Sequence, residues 1–191
     1  MILNAFQNER ILVVDGQYWP FMFLTKGFTV KIGVLSDTHI SSLENGYELS
    51  ARLLAGPFYD VEMILHAGDH VIPDLDSCFN GLPYYGVCGN MDMSSSFLPQ
   101  KRLIDVCGFT IGMTHGWGAP IGIEKRVADY FKKDDVDVIV FGHSHRPVCL
   151  QFDSVLMLNP GSATDRRSAP FHSVAILNIE TDVAAEIISI D

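Results

Sequence analysis

Five short apolar runs, each ending in or followed within two residues by a histidine, an aspartate or an asparagine, constrain this chain more than any other feature. They are "KIGVLS" (Lys31 to Ser36), "VEMILHA" (Val61 to Ala67), "YYGVC" (Tyr84 to Cys88), "FTIGMTH" (Phe109 to His115) and "VDVIVFG" (Val136 to Gly142). Brief, mostly apolar and bounded by Gly, Asp or Asn, they predict strands covered on both faces. Between them, "YELSARLLAG" (Tyr47 to Gly56), "DLDSCFN" (Asp74 to Asn80) and "IEKRVADYFKK" (Ile123 to Lys133) space apolar residues three or four apart. That period predicts crossover helices and an α/β fold.

From Val148 the pattern changes to "VCLQF", "SVLMLN", "HSVAILNI" and "VAAEIISI", which predicts an antiparallel meander beside the first sheet. The stretch 1–30 reads as an N-terminal extension ahead of a domain spanning 31–191. It is apolar and aromatic, with Asp15 and Gly16 suited to a hairpin turn. Three readings stay open for it: an extra edge element, an interface-forming arm around Tyr18 to Phe23, or a leader ahead of a natural start such as Met22.

At 191 residues, with 48% hydrophobic and 19% charged, the chain has room for one folded core and is too apolar to be disordered. The formal charge of -10, from 13 basic and 23 acidic residues, offers no basic stripe for a polyanion, so nucleic acid is not the expected partner. Bound divalent cations would reverse the sign locally. Cys78, Cys88, Cys107 and Cys149 are widely spaced with no C-x-x-C pair and no secretory segment before them, which predicts a reduced, cytoplasmic setting. No run approaches the roughly 18 uncharged residues needed to cross a bilayer.

In an open α/β sheet the loops at the carboxyl ends of the strands converge on one crevice. The residues at those points are Asp37 and His39, Asp69 with His66 and His70, Asn90 and Asp92, His115, and finally His143 and His145. A lone Asp after a strand is ordinarily a turn or capping residue, and a lone His a hydrogen-bonded one. Five strands each ending in a ligand-type side chain are more than turn chemistry asks for. The set is rich in oxygen and nitrogen donors and free of thiolates, which suits a catalytic Mn²⁺, Zn²⁺, Fe or Ni²⁺ site better than a structural zinc.

The ordered blocks "SDTH", "GD", "GN.D", "HG" and "GHSH", with "NPGS" (Asn159 to Ser162) near the end, resemble those of the calcineurin-like metallophosphoesterases. The likeness is to the small bacterial and archaeal phosphodiesterase branch, whose eukaryotic relative is a retromer scaffold subunit, and it spans about residues 31 to 191. It implies a four-layer αββα sandwich of two mixed β-sheets flanked by helices, with two divalent metal ions at one edge. Mn²⁺ is the first expectation, with Ni²⁺, Zn²⁺ or Fe²⁺ as alternatives. By resemblance, Asp37, His39, Asp69 and His145 hold one metal, and Asp69, Asn90, His115 and His143 the other, Asp69 bridging.

The implied reaction is hydrolysis of a small-molecule phosphate ester by a metal-bridged hydroxide, with metals roughly 3.5–4 Å apart and a bound water of pKa about 7. Asn90, His115 and Asp69 take the catalytic positions, and Asn90, His115 and Arg166 are the candidate substrate contacts. Many relatives carry a histidine after the G-N block as leaving-group acid, where this chain has Met91, and a thioether cannot donate that proton. The departure favours diesters or activated esters. His70 is an alternative acid or an exposed loop residue, and Asp92 an orienting carboxylate or a turn cap. His66 reads as structural, His172 as part of a late strand, and Arg166 and Arg167 as phosphate contacts or solvated loop residues. The other reading is a partner-binding scaffold of the same fold with little chemistry. A homo-oligomer is compatible with both.

Overall fold

A computed structural model describes residues 11–14, 17–20, 29–92 and 98–191. The strands are β1 (Ile11–Val14), β2 (Gln17–Pro20), β3 (Val30–Leu35), β4 (Met63–His66), β5 (Tyr84–Gly86), β6 (Lys101–Val106), β7 (Phe109–Thr114), β8 (Val138–Val140), β9 (Val148–Phe152), β10 (Val155–Asn159), β11 (Ser173–Ile179) and β12 (Val183–Ser189). Two α-helices, α1 (Leu43–Leu54) and α2 (Ile123–Phe131), and a 3₁₀ turn at Leu75–Phe79 complete the described elements.

The strands form two mixed sheets, β12-β11-β3-β4-β5 and β2-β1-β6-β7-β8-β10-β9; the second is a five-stranded core extended by the antiparallel β1–β2 pair. The turn at Asp15 and Gly16, the alternative start at Met22, and Phe21 to Phe23 of the expected arm lie outside the described residues.

Alternation along the strands builds the layers. Val30, Ile32, Val34, Met63 and Leu65 of one sheet face Ile104, Val106, Ile111, Met113, Val138, Val140 and Leu158 of the other in the central core. The intervening positions point outward. Ile64, Val174 and Ile176 pack under Leu49 and Leu53 of α1 and under Leu75 and Phe79, while Ile139 and Met157 pack under Ile123, Val127 and Phe131 of α2. The central strands β3, β4, β8 and β11 are thus covered on both faces, whereas β9 and β12 keep exposed positions, and the result is the four-layer αββα sandwich. Ser42 caps α1 by accepting from the Asn45 amide at 3.3 Å.

Two expectations are corrected. β6 interrupts the series of five runs, and its sequence "KRLIDV" did not announce it, because Lys101, Arg102 and Asp105 are interleaved with its apolar residues. The C-terminal runs do pair as two hairpins, but not as one meander: β9–β10 adds to β8 in one sheet and β11–β12 adds to β3 in the other. Hairpin pairing is local and legible, whereas the sheet a hairpin joins is decided by distant partners.

Candidate metal centre

β3, β4 and β5 are parallel in one sheet, and β7, β8 and β10 in the other, so six carboxyl-end loops can meet along one edge. They are laced together there. The Asp37 and His39 amides donate to the carbonyls of Gly68 and Asp69 at 2.9 and 3.0 Å, and the Gly142 amide to the His115 carbonyl at 3.0 Å. The Asp37 carboxylate crosses between the sheets, accepting from the His143 amide at 3.0 Å and the Ser36 hydroxyl at 2.7 Å. "NPGS" braces both sides: the Ser162 hydroxyl donates to the Asp37 carbonyl at 2.7 Å, and Asn159 Nδ2 to the Gly142 carbonyl at 2.9 Å. Gly142 is required by close approach, since a Cβ there would fall 1.8 Å from Ser36 Oγ.

Among the described residues ten non-glycine positions have positive φ, and five of them are Asp37, His39, Asp69, His143 and His145, with φ from 44° to 68°. Such backbone is uncommon outside glycine, although Asp and His adopt it more readily than most, and here it concentrates where side chains are aimed at one point.

The side chains converge in two overlapping groups, Asp37 with His39 and His145, and Asp37 with Asp69 and His115, each with ligand atoms within 4.8 Å of one another. In the first, His145 Nε2 lies 3.2 Å from His39 Nε2 and 3.3 Å from Asp37 Oδ1. In the second, His115 Nε2 lies 3.4 Å from Asp69 Oδ2 and 3.9 Å from Asp37 Oδ1. Asp69 Oδ2 is also 3.7 Å from His39 Nε2, so two carboxylates, not Asp69 alone, stand between the groups. Asn90 Oδ1 sits on the His115 side, 3.2 Å from His115 Nε2 and 2.9 Å from His143 Nδ1. The histidine pair of "GHSH" is therefore split between the two sides.

The fit of this cluster to a cation is visible in its ring nitrogens. His115 Nδ1 donates to the Ala67 carbonyl at 2.7 Å, His143 Nε2 to the Gly118 carbonyl at 2.9 Å, and His145 Nδ1 to the Asp165 carbonyl. With one N–H committed outward, each ring in its neutral form would turn a lone pair inward, which is the arrangement metal-ligating imidazoles adopt. Burial pushes the Asp37 carboxyl above its ordinary value, more than nearby His115 and His145 pull it down. Burial also opposes charge on His115, but its bond to Asp69 and the charge of Asp37 win and raise it. For Asp69 burial is again the largest influence, outweighed by His115 and the Met91 amide, and its value falls. Converging lone pairs and carboxylates are what a divalent cation would satisfy.

Several residues lie elsewhere than expected. His70 is neither an exposed loop residue nor an available acid: it is 3% exposed, stacked on His66 at 3.7 Å, and bonded through Nδ1 to Asp92 at 3.2 Å. Asp92 touches no ligand imidazole; it accepts from the amides of Asp69, Val71 and Gly89 at 3.0, 2.8 and 2.7 Å. Burial opposes its charge, yet the bond from His70 and these amides hold its carboxyl well below the usual range. His66 is structural as expected, donating to Thr38 Oγ1 at 2.9 Å and accepting from the Gly68 amide, and burial keeps it neutral. His172 precedes β11 and pairs with Asp191 at 2.7 Å. Arg166 Nη1 donates to the carbonyls of Ala169 and Pro170, and Arg167 pairs with Asp165 at 3.5 Å. At position 91 it is the backbone that works, the Met91 amide donating to Asp69 Oδ1 at 2.7 Å.

Arg126 had no sequence signal. Its guanidinium donates to the carbonyls of Trp117, Ile121 and Ala119, stapling the loop whose Gly118 carbonyl holds the His143 ring. Arg126→Ala is expected to weaken Mn²⁺ binding about tenfold, as loss of an outer support does, while the unfolding midpoint stays close to the parent; calorimetric titration reads the first and denaturant melting the second.

A two-sheet sandwich carrying carboxylates, imidazoles and one carboxamide at the carboxyl ends of its strands defines a protein with a candidate divalent-metal centre. Residues 30–182 match the calcineurin-like phosphoesterase superfamily domain, and the chain belongs to that family. It is 34% identical over 171 residues to a probable metallophosphoesterase of Methanocaldococcus jannaschii, covering 88% of this chain and 86% of that one. It is 37% identical over 161 residues to a probable metallophosphoesterase of Methanothermobacter thermautotrophicus, covering 82% and 91%. Among solved structures it resembles a predicted phosphoesterase from Streptococcus pneumoniae (TM-score 0.69, 22% identity, 85% and 91% covered). It also resembles an archaeal phosphodiesterase (0.63, 22%, 83% and 99%) and a zinc complex of Vps29 from Entamoeba histolytica (0.57, 20%, 84% and 99%). No helix among the described residues is long and apolar enough to cross a membrane.

Proposed function

We propose that the chain hydrolyses small phosphate esters, phosphodiesters foremost, at a centre of two divalent cations. Mn²⁺ is the first candidate, and Ni²⁺, Zn²⁺ or Fe²⁺ also suit the donor set. Asp37, His39, Asp69 and His145 would hold one cation, and Asp69, Asn90, His115 and His143 the other. The observation that carries this reading is the commitment of three ring N–H groups to backbone carbonyls, which leaves their lone pairs facing inward. Cations bound there supply an ionisable water near neutral pH and offset charge on the phosphoryl oxygens.

The chain's own residues do the rest. The buried bonds from Ser36 and the His143 amide aim Asp37, and the Met91 amide aims Asp69. Asn90 Nδ2 has no partner among the described residues and is the donor available to a phosphoryl oxygen. Hydrolysis of a diester forms one phosphorus–oxygen bond from water and breaks one to an alcohol, and a proton of the water ends on the departing alcohol. No side-chain acid stands at Met91 to deliver it, which favours diesters and good leaving groups. With Mn²⁺, kcat/KM for bis(4-nitrophenyl) phosphate is expected to exceed that for 4-nitrophenyl phosphate; an equal or reversed preference would remove the diester assignment.

The second reading, a partner-binding scaffold, is supported by the likeness to Vps29. Since that neighbour was crystallised with zinc, metal binding alone does not separate the two readings, and turnover does. The cytoplasm is the compartment that four widely spaced cysteines with no C-x-x-C pair favour.

A further inference from the structure

Beside the candidate centre lies a cavity of about 490 Å³ whose wall includes Thr38 and His39. Its size falls within the roughly 300–1,000 Å³ of small-molecule sites. His39 belongs to both features, its Nε2 3.2 Å from His145 Nε2 and the residue itself lining the cavity. The facing wall is one side of α1, where Asn45, Glu48, Leu49 and Arg52 fall at helical spacing.

Three of these side chains are unengaged. The Asn45 side-chain carboxamide, the Glu48 carboxylate and the Arg52 guanidinium make no hydrogen bond or ion pair with the described residues. Glu48 and Arg52 stand four apart, so their charges offset each other. Of the other titratable groups on the wall, Asp165 pairs with Arg167 at 3.5 Å and His172 with Asp191 at 2.7 Å, while His39 Nε2 faces His145 and Asp69. The lining holds two carboxylates, Glu48 and Asp165, against one guanidinium and so does not invite a second anion, but it sets donors and acceptors side by side over apolar Leu49, which is 6% exposed. Paired donors and acceptors recognise hydroxyl groups, each of which both gives and accepts a hydrogen bond.

We propose that this cavity binds the alcohol arm of a phosphodiester, an uncharged group carrying several hydroxyls, with its phosphorus at the adjacent metal centre. The proposal rests on the phosphoesterase reading. A ribose and a glycerol share this chemistry, and the test separates them.

The test measures kcat/KM, with Mn²⁺, for three 4-nitrophenyl phosphodiesters whose other arm is uridine (through O5′), glycerol or methyl. At least one hydroxylated arm is expected to exceed methyl by about tenfold or more, and the larger ratio identifies the source. Arg52→Ala and Asn45→Trp, both at exposed positions of α1, should each bring that ratio toward 1, with metal content unchanged by elemental analysis. A ratio near 1 in the parent while the methyl ester is turned over, or a ratio kept in both variants, overturns the cavity assignment and leaves the phosphoesterase reading standing. No turnover of any of the three with any divalent metal overturns both.

Discussion

Asp69→Asn is expected to lose divalent-metal affinity by more than the roughly 10–100-fold typical of outer-support substitutions, and to lose ester hydrolysis with it. Asp69 Oδ2 lies 3.4 Å from His115 and 3.7 Å from His39, so one carboxylate serves both sides of the cluster. The amide replacement keeps the shape and removes the charge. His145→Ala should act similarly by opening the other side, where the ring is 3.3 Å from Asp37 Oδ1. Calorimetric titration with Mn²⁺ reads both variants directly. Unchanged metal content in both would refute the ligand assignment.

Asp92→Ala should produce the largest loss of stability. Its side chain is 3% exposed and accepts from three backbone amides and from His70, tying the Asp69 loop to the loop after β5. Removing a buried charge leaves all four donors without a partner, at a cost of about 3–5 kcal/mol by analogy with broken buried ion pairs. For a chain of this length that corresponds to a melting temperature lower by roughly 6–20 °C, at 2–4 °C per kcal/mol. Thermal and urea unfolding measure it. A shift within about 0.5 kcal/mol, the range of ordinary surface substitutions, would show that Asp92 does not hold the loops.

The sequence made the five ligand-bearing runs legible because each side chain follows a buried strand directly, and strand ends in α/β sheets share an edge. Asp37, His39, Asp69, Asn90, His115, His143 and His145 all reach that edge. What could not be read was carried by backbone. The carbonyls of Ala67, Gly118 and Asp165 fix the imidazole tautomers, and a carbonyl has no residue type to betray it. The left-handed φ of five candidate ligands is equally silent, since Asp and His, though enriched there, adopt such backbone at only a few positions and ordinary strand-end φ at most others. Asp92 was visible as a residue but not as a loop anchor, because its partners are main-chain amides up to 23 positions away. β6 was missed because its charged positions masked a strand whose Ile104 and Val106 are core.

The most direct test of the account is the rate of bis(4-nitrophenyl) phosphate hydrolysis as Mn²⁺ is added to chelator-treated, folded protein. Negligible turnover is expected without metal, and a saturable rise as Mn²⁺ fills the cluster. A folded sample that binds metal yet turns over nothing with Mn²⁺, Ni²⁺, Zn²⁺ or Fe²⁺ would contradict it and leave the scaffold reading in its place.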